Sequence, residues 1–184
     1  MYHIPNDKRA MNSASALSDG LVEIMKKKTI VEITIKDITI ASGVSRATFY
    51  RLFDNIVDIL FWKIDFIMIQ AIDNVKKIED SNFKTVFYEF ARYWDCHRDL
   101  IDGLIKSDRT DIFYEVHTKH LEEIKEYMLK NKELEGKKIE YLAELLATLI
   151  PICFRVSKKY PNVDVRCQYD DMVEGIGTLW KFLQ

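Results

Sequence analysis

Cysteine is scarce in this sequence, and so are proline and glycine: three Cys, three Pro and six Gly in 184 residues. Cys96, Cys153 and Cys167 are unevenly spaced and form no CxxC pair, which argues against a disulfide framework or a zinc finger and predicts three reduced thiols. Few Gly and Pro beside 48% hydrophobic residues exclude collagen-like, low-complexity and disordered chains. Long apolar runs are missing as well. The longest stretch without a charge, Leu145 to Phe154, is ten residues and contains Pro151, against the ~20 apolar residues of a membrane-spanning helix. No apolar core follows Arg9, where Asn12, Ser13, Ser15 and Ser18 interrupt, so no secretory signal is expected and the chain is expected to stay in the cytoplasm. A Gly-rich phosphate loop, a nucleophile elbow and an HExxH pair are also absent. Without an acid, base and nucleophile set the chain is not read as an enzyme, and no cofactor is expected.

What the sequence does contain is helical periodicity, and the predicted fold class is all-α. Ala10, Ala14, Leu17, Leu21, Ile24 and Met25 recur at three- and four-residue steps and predict a first helix from Arg9 to Lys28. Thr34 and Asp37, three apart, resemble a helix-capping pair and predict a loop ending at Thr34 and a short helix to Ser42. Gly43 can stop that helix in the left-handed conformation, and Ser45 can cap a second short helix to Phe53. Asp54 or Asn55 then caps a longer helix to about Lys77. Further helices are expected near 82–95, 98–106, 109–131, 137–158 and 165–183, with polar breaks at 79–82 and 131–136, and Pro151 is expected to kink its helix.

The net charge of −2 argues by itself against a nucleic-acid binder, but its distribution is uneven. Residues 1–57 hold eight Lys or Arg against six Asp or Glu, whereas residues 58–184 hold nineteen against twenty-three. Between Asp37 and Asp54 there is no acidic residue, so a phosphate backbone could approach this window without repulsion from within it. Two short helices about a Gly-containing turn, after a longer amphipathic helix, make a helix-turn-helix arrangement over TIKDITIASGVSRATFYRLFDN, Thr34 to Asn55. Ile38, Ala41, Val44, Phe49 and Phe53 are its expected buried contacts. The other face of the second helix offers Ser45, Arg46, Ala47, Thr48, Tyr50 and Arg51. A guanidinium that can pair with guanine, a methyl for thymine and hydroxyls for phosphate oxygens suit a DNA major groove. The same turn also occurs as ordinary packing between amphipathic helices, so the pattern alone leaves both readings open.

The segment resembles the DNA-binding region of the TetR/AcrR family of bacterial transcriptional regulators, whose run is close to T-V-x-D-I-A-x-x-A-G-V-S-x-x-T-F-Y-x-H-F. The residues that carry the resemblance are Thr34, Asp37, Ile38, Gly43, Val44, Ser45, Thr48, Phe49, Tyr50 and Phe53, with small residues at Ala41 and Ser42. It covers about the first 60 residues. It implies a three-helix DNA-binding domain over 1–57 and a helical effector-binding and dimerisation domain over 58–184. It also implies that Arg46, Ala47 and Tyr50 face bases or the groove while Thr34, Ser45 and Thr48 bond phosphates. Lys36 and Arg51 are further candidate contacts. Two positions depart from the family: Leu52 stands where His is usual, and Ile56, followed by Val57, where a phosphate-binding Lys opens the fourth helix. Lys8 and Arg9, on a mobile N-terminal arm, are expected to compensate.

The second part of the chain is rich in aromatics. Phe83, Phe87, Phe90 and Trp94 lie at steps of four, three and four, as a core stripe would. A competing expectation is a ligand pocket of Phe90, Trp94, Phe113 and His117, apolar with one polar handle. His117 and His120 supply too few converging ligands for a metal, so none is expected. The last two helices carry apolar faces through Leu142, Leu145, Leu146, Leu149, Ile152 and Cys153, and through Met172, Ile176, Leu179, Trp180 and Leu183. These faces either complete the monomer core or, as the family layout implies, pair in a two-fold dimer, where Gly175 and Gly177 would admit another backbone. Taken together, the resemblance implies a homodimeric repressor that releases a palindromic double-stranded DNA operator when a small apolar or amphipathic effector binds. The alternative is a TetR-like protein-interaction module that has lost DNA binding, favoured by Leu52 and Ile56.

Overall fold

The computed structural model describes residues 1–78, 83–128, 136–160, 162–163 and 165–182, and among these it is all-helical. The polar break expected at 79–82, all but Gly136 of the one expected at 131–136, and Leu183 lie outside the described residues, as do the side chains of Phe83, Ile176, Leu179 and Trp180.

Helix α1, Lys8–Met25, starts where the Asp7 carboxylate accepts the Ala10 N–H at 2.8 Å. Ala10, Ala14, Leu17, Leu21 and Met25 form its buried stripe. It ends three residues before the expected Lys28, because the Lys27 and Lys28 N–H groups both turn back to the Ile24 carbonyl at 3.0 Å. A single 3-10 turn, Ile30–Glu32, then buries Ile30, whose N–H donates to Ser107 Oγ at 3.1 Å.

Helices α2, Ile35–Ser42, and α3, Arg46–Leu52, are placed by local chemistry. The Thr34 N–H and hydroxyl both donate to Asp37 Oδ2, at 3.0 and 2.8 Å, and the Asp37 N–H returns a bond to Thr34 Oγ1 at 3.2 Å. Gly43 follows with φ +68°, the left-handed conformation that stops α2. The Thr48 N–H then donates to Ser45 Oγ at 3.1 Å and caps α3. The three helices meet through Ile38, Phe49, Leu52 and Phe53, all wholly buried. One packing expectation is corrected: Ala41 is exposed and Val44 only half-buried. The small residue at the helix crossing is Ser42, one position on, because a Cβ on Gly20 of α1 would sit 3.1 Å from Ser42 N and 3.2 Å from Ser42 Cβ.

Helix α4, Ile56–Val75, is capped by Asn55, whose side-chain oxygen accepts the Asp58 N–H at 3.1 Å. The Asp58 carboxylate in turn accepts the N–H groups of Asp54 and Asn55, at 3.1 and 3.2 Å. The remaining helices are α5, Phe83–Asp95; α6, Arg98–Lys106; α7, Asp111–Lys119; α8, Leu121–Met128; α9, Lys137–Ser157; and α10, Val165–Phe182. The single helix expected over 109–131 is therefore two, broken at His120 without Gly or Pro. Helix α9 runs on through Pro151.

The chain divides into two compact units, and they do not follow chain order: residues 1–69 with 97–117, and residues 70–96 with 118–184. In the first, α6 lies against α1, where a Cβ on Gly103 would come within 3.0 Å of Met25 Cβ. In the second, Phe87, Phe90, Ala91 and Trp94 of α5 are buried, and the Tyr169 ring of α10 meets Phe87 edge-on at 6.1 Å. Leu146, Leu149, Ile150 and Phe154 of α9 also face inward. No helix among the described residues is long and apolar enough to cross a membrane.

Candidate nucleic-acid interface

Helix α3 is short, and its two faces are sharply different. Phe49 and Leu52 are wholly buried, with Phe49 tilted against Phe53 at 6.2 Å and Phe53 edge-on to Trp62 of α4 at 6.2 Å. Anchoring those residues turns Arg46, Ala47, Tyr50 and Arg51 outward, all exposed. The Tyr50 ring is 59% exposed and leans edge-on against Phe49 at 5.3 Å, which holds the phenol away from the core. Lys36, Arg46 and Arg51 make no ion pair among the described residues, so their charge is available to an outside partner. In contrast, Lys28 lies 3.6 Å from Asp37, and Lys26 is paired with Glu23 and Asp99.

The hydroxyl candidates are partly committed. The Thr34 N–H and O–H both point at Asp37, whose carboxyl these bonds hold below the usual carboxylate range. Ser45 Oγ and Thr48 Oγ1 share a hydrogen bond of 3.0 Å, which leaves this pair with one proton for an outside acceptor. Thr48 is half-buried, whereas Thr34, Lys36 and Ser45 are exposed.

Lys8 and Arg9 are not on a mobile arm. Both lie in the first turn of α1, exposed, and with Asn12, Ser13, Ala16 and Val44 they border a surface hollow of about 460 Å³ beside the turn between α2 and α3. The residues before them are fixed. His3 N–H donates to the Leu52 carbonyl at 2.8 Å, Tyr2 pairs antiparallel with Phe53, and the Tyr2 hydroxyl donates to Asp65 Oδ2 at 2.7 Å. The Met1 ammonium bonds Asp58 at 2.8 Å and Asp54 at 3.1 Å, and with His3 it holds the Asp54 carboxyl below its usual range. Sequence reasoning missed this N-terminal segment, since no short-range pattern marks it.

Leu52, apolar where the family is polar, belongs to the core and offers no surface; Ile56 is half-buried. The four residues read as a ligand pocket are all buried. Phe90 and Trp94 lie in the second unit with ring centroids 6.4 Å apart, while Phe113 and His117 lie one turn apart on α7 in the first. Among the described residues no group of three His, Cys, Asp or Glu is placed to hold a metal ion. On α9, Tyr141, Leu145, Ile152 and Val156 form an outward apolar stripe, exposed by 39% or more. Gly175 of α10 is exposed as well, and a Cβ there would meet nothing within 4 Å.

No family model and no curated protein matches the chain. A solved structure, that of Lin0861 from Listeria innocua, is similar to it with a TM-score of 0.71 at 22% identity, covering 99% of this chain and 96% of that one. At that identity it is a likeness of fold.

Proposed function

We propose that this chain is a DNA-binding transcriptional regulator of the TetR/AcrR type, a homodimer that represses at a palindromic operator. The observation that carries the reading is α3: a capped helix with its apolar side buried and Arg46, Ala47, Tyr50 and Arg51 outward, its cations in no ion pair among the described residues. A groove-reading helix needs that arrangement, because an Arg already engaged by a carboxylate would have to exchange partners before reaching a base edge. Arg46 is assigned to direct readout and Tyr50 to base or groove contact. Lys36, Ser45, Thr48 and Arg51 are assigned to phosphates, with Lys8 and Arg9 at the rim. Thr34 is primarily the cap of α2, and its phosphate contact runs through the helix it holds in place.

The second copy is proposed to pack on α9 and α10. The stripe Tyr141, Leu145, Ile152 and Val156 supports this, because steps of four and seven place these side chains on one helix face and leave them in water in a single chain. Two-fold pairing would present two α3 helices to successive major grooves, about 34 Å apart. Release by an apolar or amphipathic effector is proposed to act through α4, which begins at Ile56 in the first unit and continues beyond Ile69 into the second. A mobility-shift assay with the DNA upstream of the protein's own gene tests the reading. Retention of that DNA in preference to unrelated duplex is expected; equal retention of both would refute it.

A further inference from the structure

The three residues that join α3 to α4 are Phe53, Asp54 and Asn55; the Phe53 ring is buried between Phe49 and Trp62, and the backbone of the link is met from outside by the start of the chain. Phe53 is in extended backbone (φ −140°, ψ 139°), and Asp54 and Asn55 are exposed. The start of the chain lies along this link as a short antiparallel partner. The His3 N–H occupies the Leu52 carbonyl at 2.8 Å, and the Asp54 N–H reaches the Met1 carbonyl at 3.4 Å. Tyr2 stands opposite Phe53, and His3 Nε2 lies 3.0 Å from Asp54 Oδ1. The Tyr2 hydroxyl goes further, to Asp65 Oδ2 at 2.7 Å. Asp65 is only 8% exposed and sits nine residues into α4, ~13 Å along its axis. A carboxylate so buried is costly unless donors meet it, and a hydroxyl bonded to a charged acceptor is among the stronger single contacts.

We propose that Met1–His3 form a strap that fixes the orientation of α3 on α4, with Tyr2 as the positioning residue. One end of the strap holds the last turn of α3 and the link, and the other holds the body of α4. A tilt of α4 is therefore passed to the outward face of α3 rather than absorbed at Phe53–Asn55. The inference rests on the DNA-binding reading for its consequence, but its geometry stands apart from it: no strap residue belongs to the outward face of α3.

The test compares the full chain with its Tyr2→Phe variant. Loss of the hydroxyl is expected to speed amide hydrogen exchange at Phe53–Asp58 about tenfold, as removal of one hydrogen bond to a charged group does. Affinity for the preferred DNA is expected to fall about tenfold, while affinity for unrelated duplex, which rests on phosphate charge, stays unchanged. A merely structural role would lower both affinities together through loss of folded protein. Unchanged exchange overturns the strap. Faster exchange with unchanged specific affinity overturns the positioning role, and so does an equal fall in both affinities. If the unaltered chain prefers no DNA sequence, the regulator reading fails on its own, and exchange alone decides the strap: faster exchange at the link supports it, unchanged exchange overturns it.

Discussion

Replacing Gly20 with Ala sets two effects against each other, and the geometry decides which wins. In the interior of α1, Ala is favoured over Gly by about 1 kcal/mol because it restricts the unfolded backbone and adds no polar group. The new methyl, however, would stand 3.1 Å from Ser42 N, 3.2 Å from Ser42 Cβ and 3.4 Å from the Ala41 carbonyl carbon. Two of these neighbours are backbone atoms of α2, which is held at one end by the Thr34–Asp37 capping box and stopped at the other by Gly43. They cannot swing aside as a side-chain tip can, so α1 and α2 must separate by a few tenths of an ångström. Overfilling a packed contact by one methyl costs about 1–3 kcal/mol. The expected net is a loss of about 1 kcal/mol, which in a chain of this length lowers the thermal midpoint by ~2–4 °C. Circular dichroism melting of Gly20→Ala beside the unaltered chain reads it. A raised midpoint would mean that helix propensity alone governs this position and that the two helices do not cross so closely.

Thiol labelling under native conditions should modify Cys96 and Cys167, both exposed, well before Cys153, whose burial pushes its thiol up to about 12; equal rates would refute the burial. The Asp37 carboxyl is held below its ordinary value near 3.8 by the Thr34 N–H and hydroxyl. Its contribution to the α2 cap is thus fully present above about pH 3.8 and lost as pH falls through the lowered folded value. Amide exchange at the start of α2 followed by NMR should show acceleration only in that acid range, and acceleration near pH 6 would contradict it. Asp108 adopts φ +54° between α6 and α7, so Asp108→Gly should raise stability by up to about 1 kcal/mol, and a fall on thermal melting would show that its side chain matters more than its backbone. A Cβ at Gly175 would meet nothing within 4 Å among the described residues, so a shift of Gly175→Leu toward monomer in sedimentation equilibrium is expected if a second copy packs there; unchanged association would remove α10 from the proposed interface.

The parts of the fold legible in the sequence are those made by short-range chemistry. The Thr34–Asp37 pair, Gly43 and Ser45 each act within three or four residues, so their hydrogen bonds and positive φ could be anticipated from spacing. The outward set on α3 was legible for the same reason, since Phe49 and Phe53 leave one face for everything else; Leu52, read as a feature favouring a protein surface, is core instead. Over the eight residues of α2, periodicity fixes the helix phase only to within a residue, and Ala41 was expected where Ser42 stands. The break at His120 carries no Gly or Pro; it falls close to where the chain passes from one compact unit to the other, after His117. The strap was invisible because its bonds join residues 49 to 63 positions apart, and the contact that brings α6 against α1, Gly103 with Met25, joins residues farther apart still.

The most direct test of the account is a fluorescence-anisotropy titration of DNA from upstream of the protein's own gene with the unaltered chain and with Arg46→Ala, at two salt concentrations. Sequence-preferring binding that weakens as salt rises is expected. The variant is expected to lose ~10- to 100-fold in affinity for the preferred site, the range that follows removal of one bidentate base contact. Binding with no preference for any sequence, or an Arg46→Ala variant that binds the preferred DNA as tightly as the parent, would contradict the assignment of α3 as a reading helix.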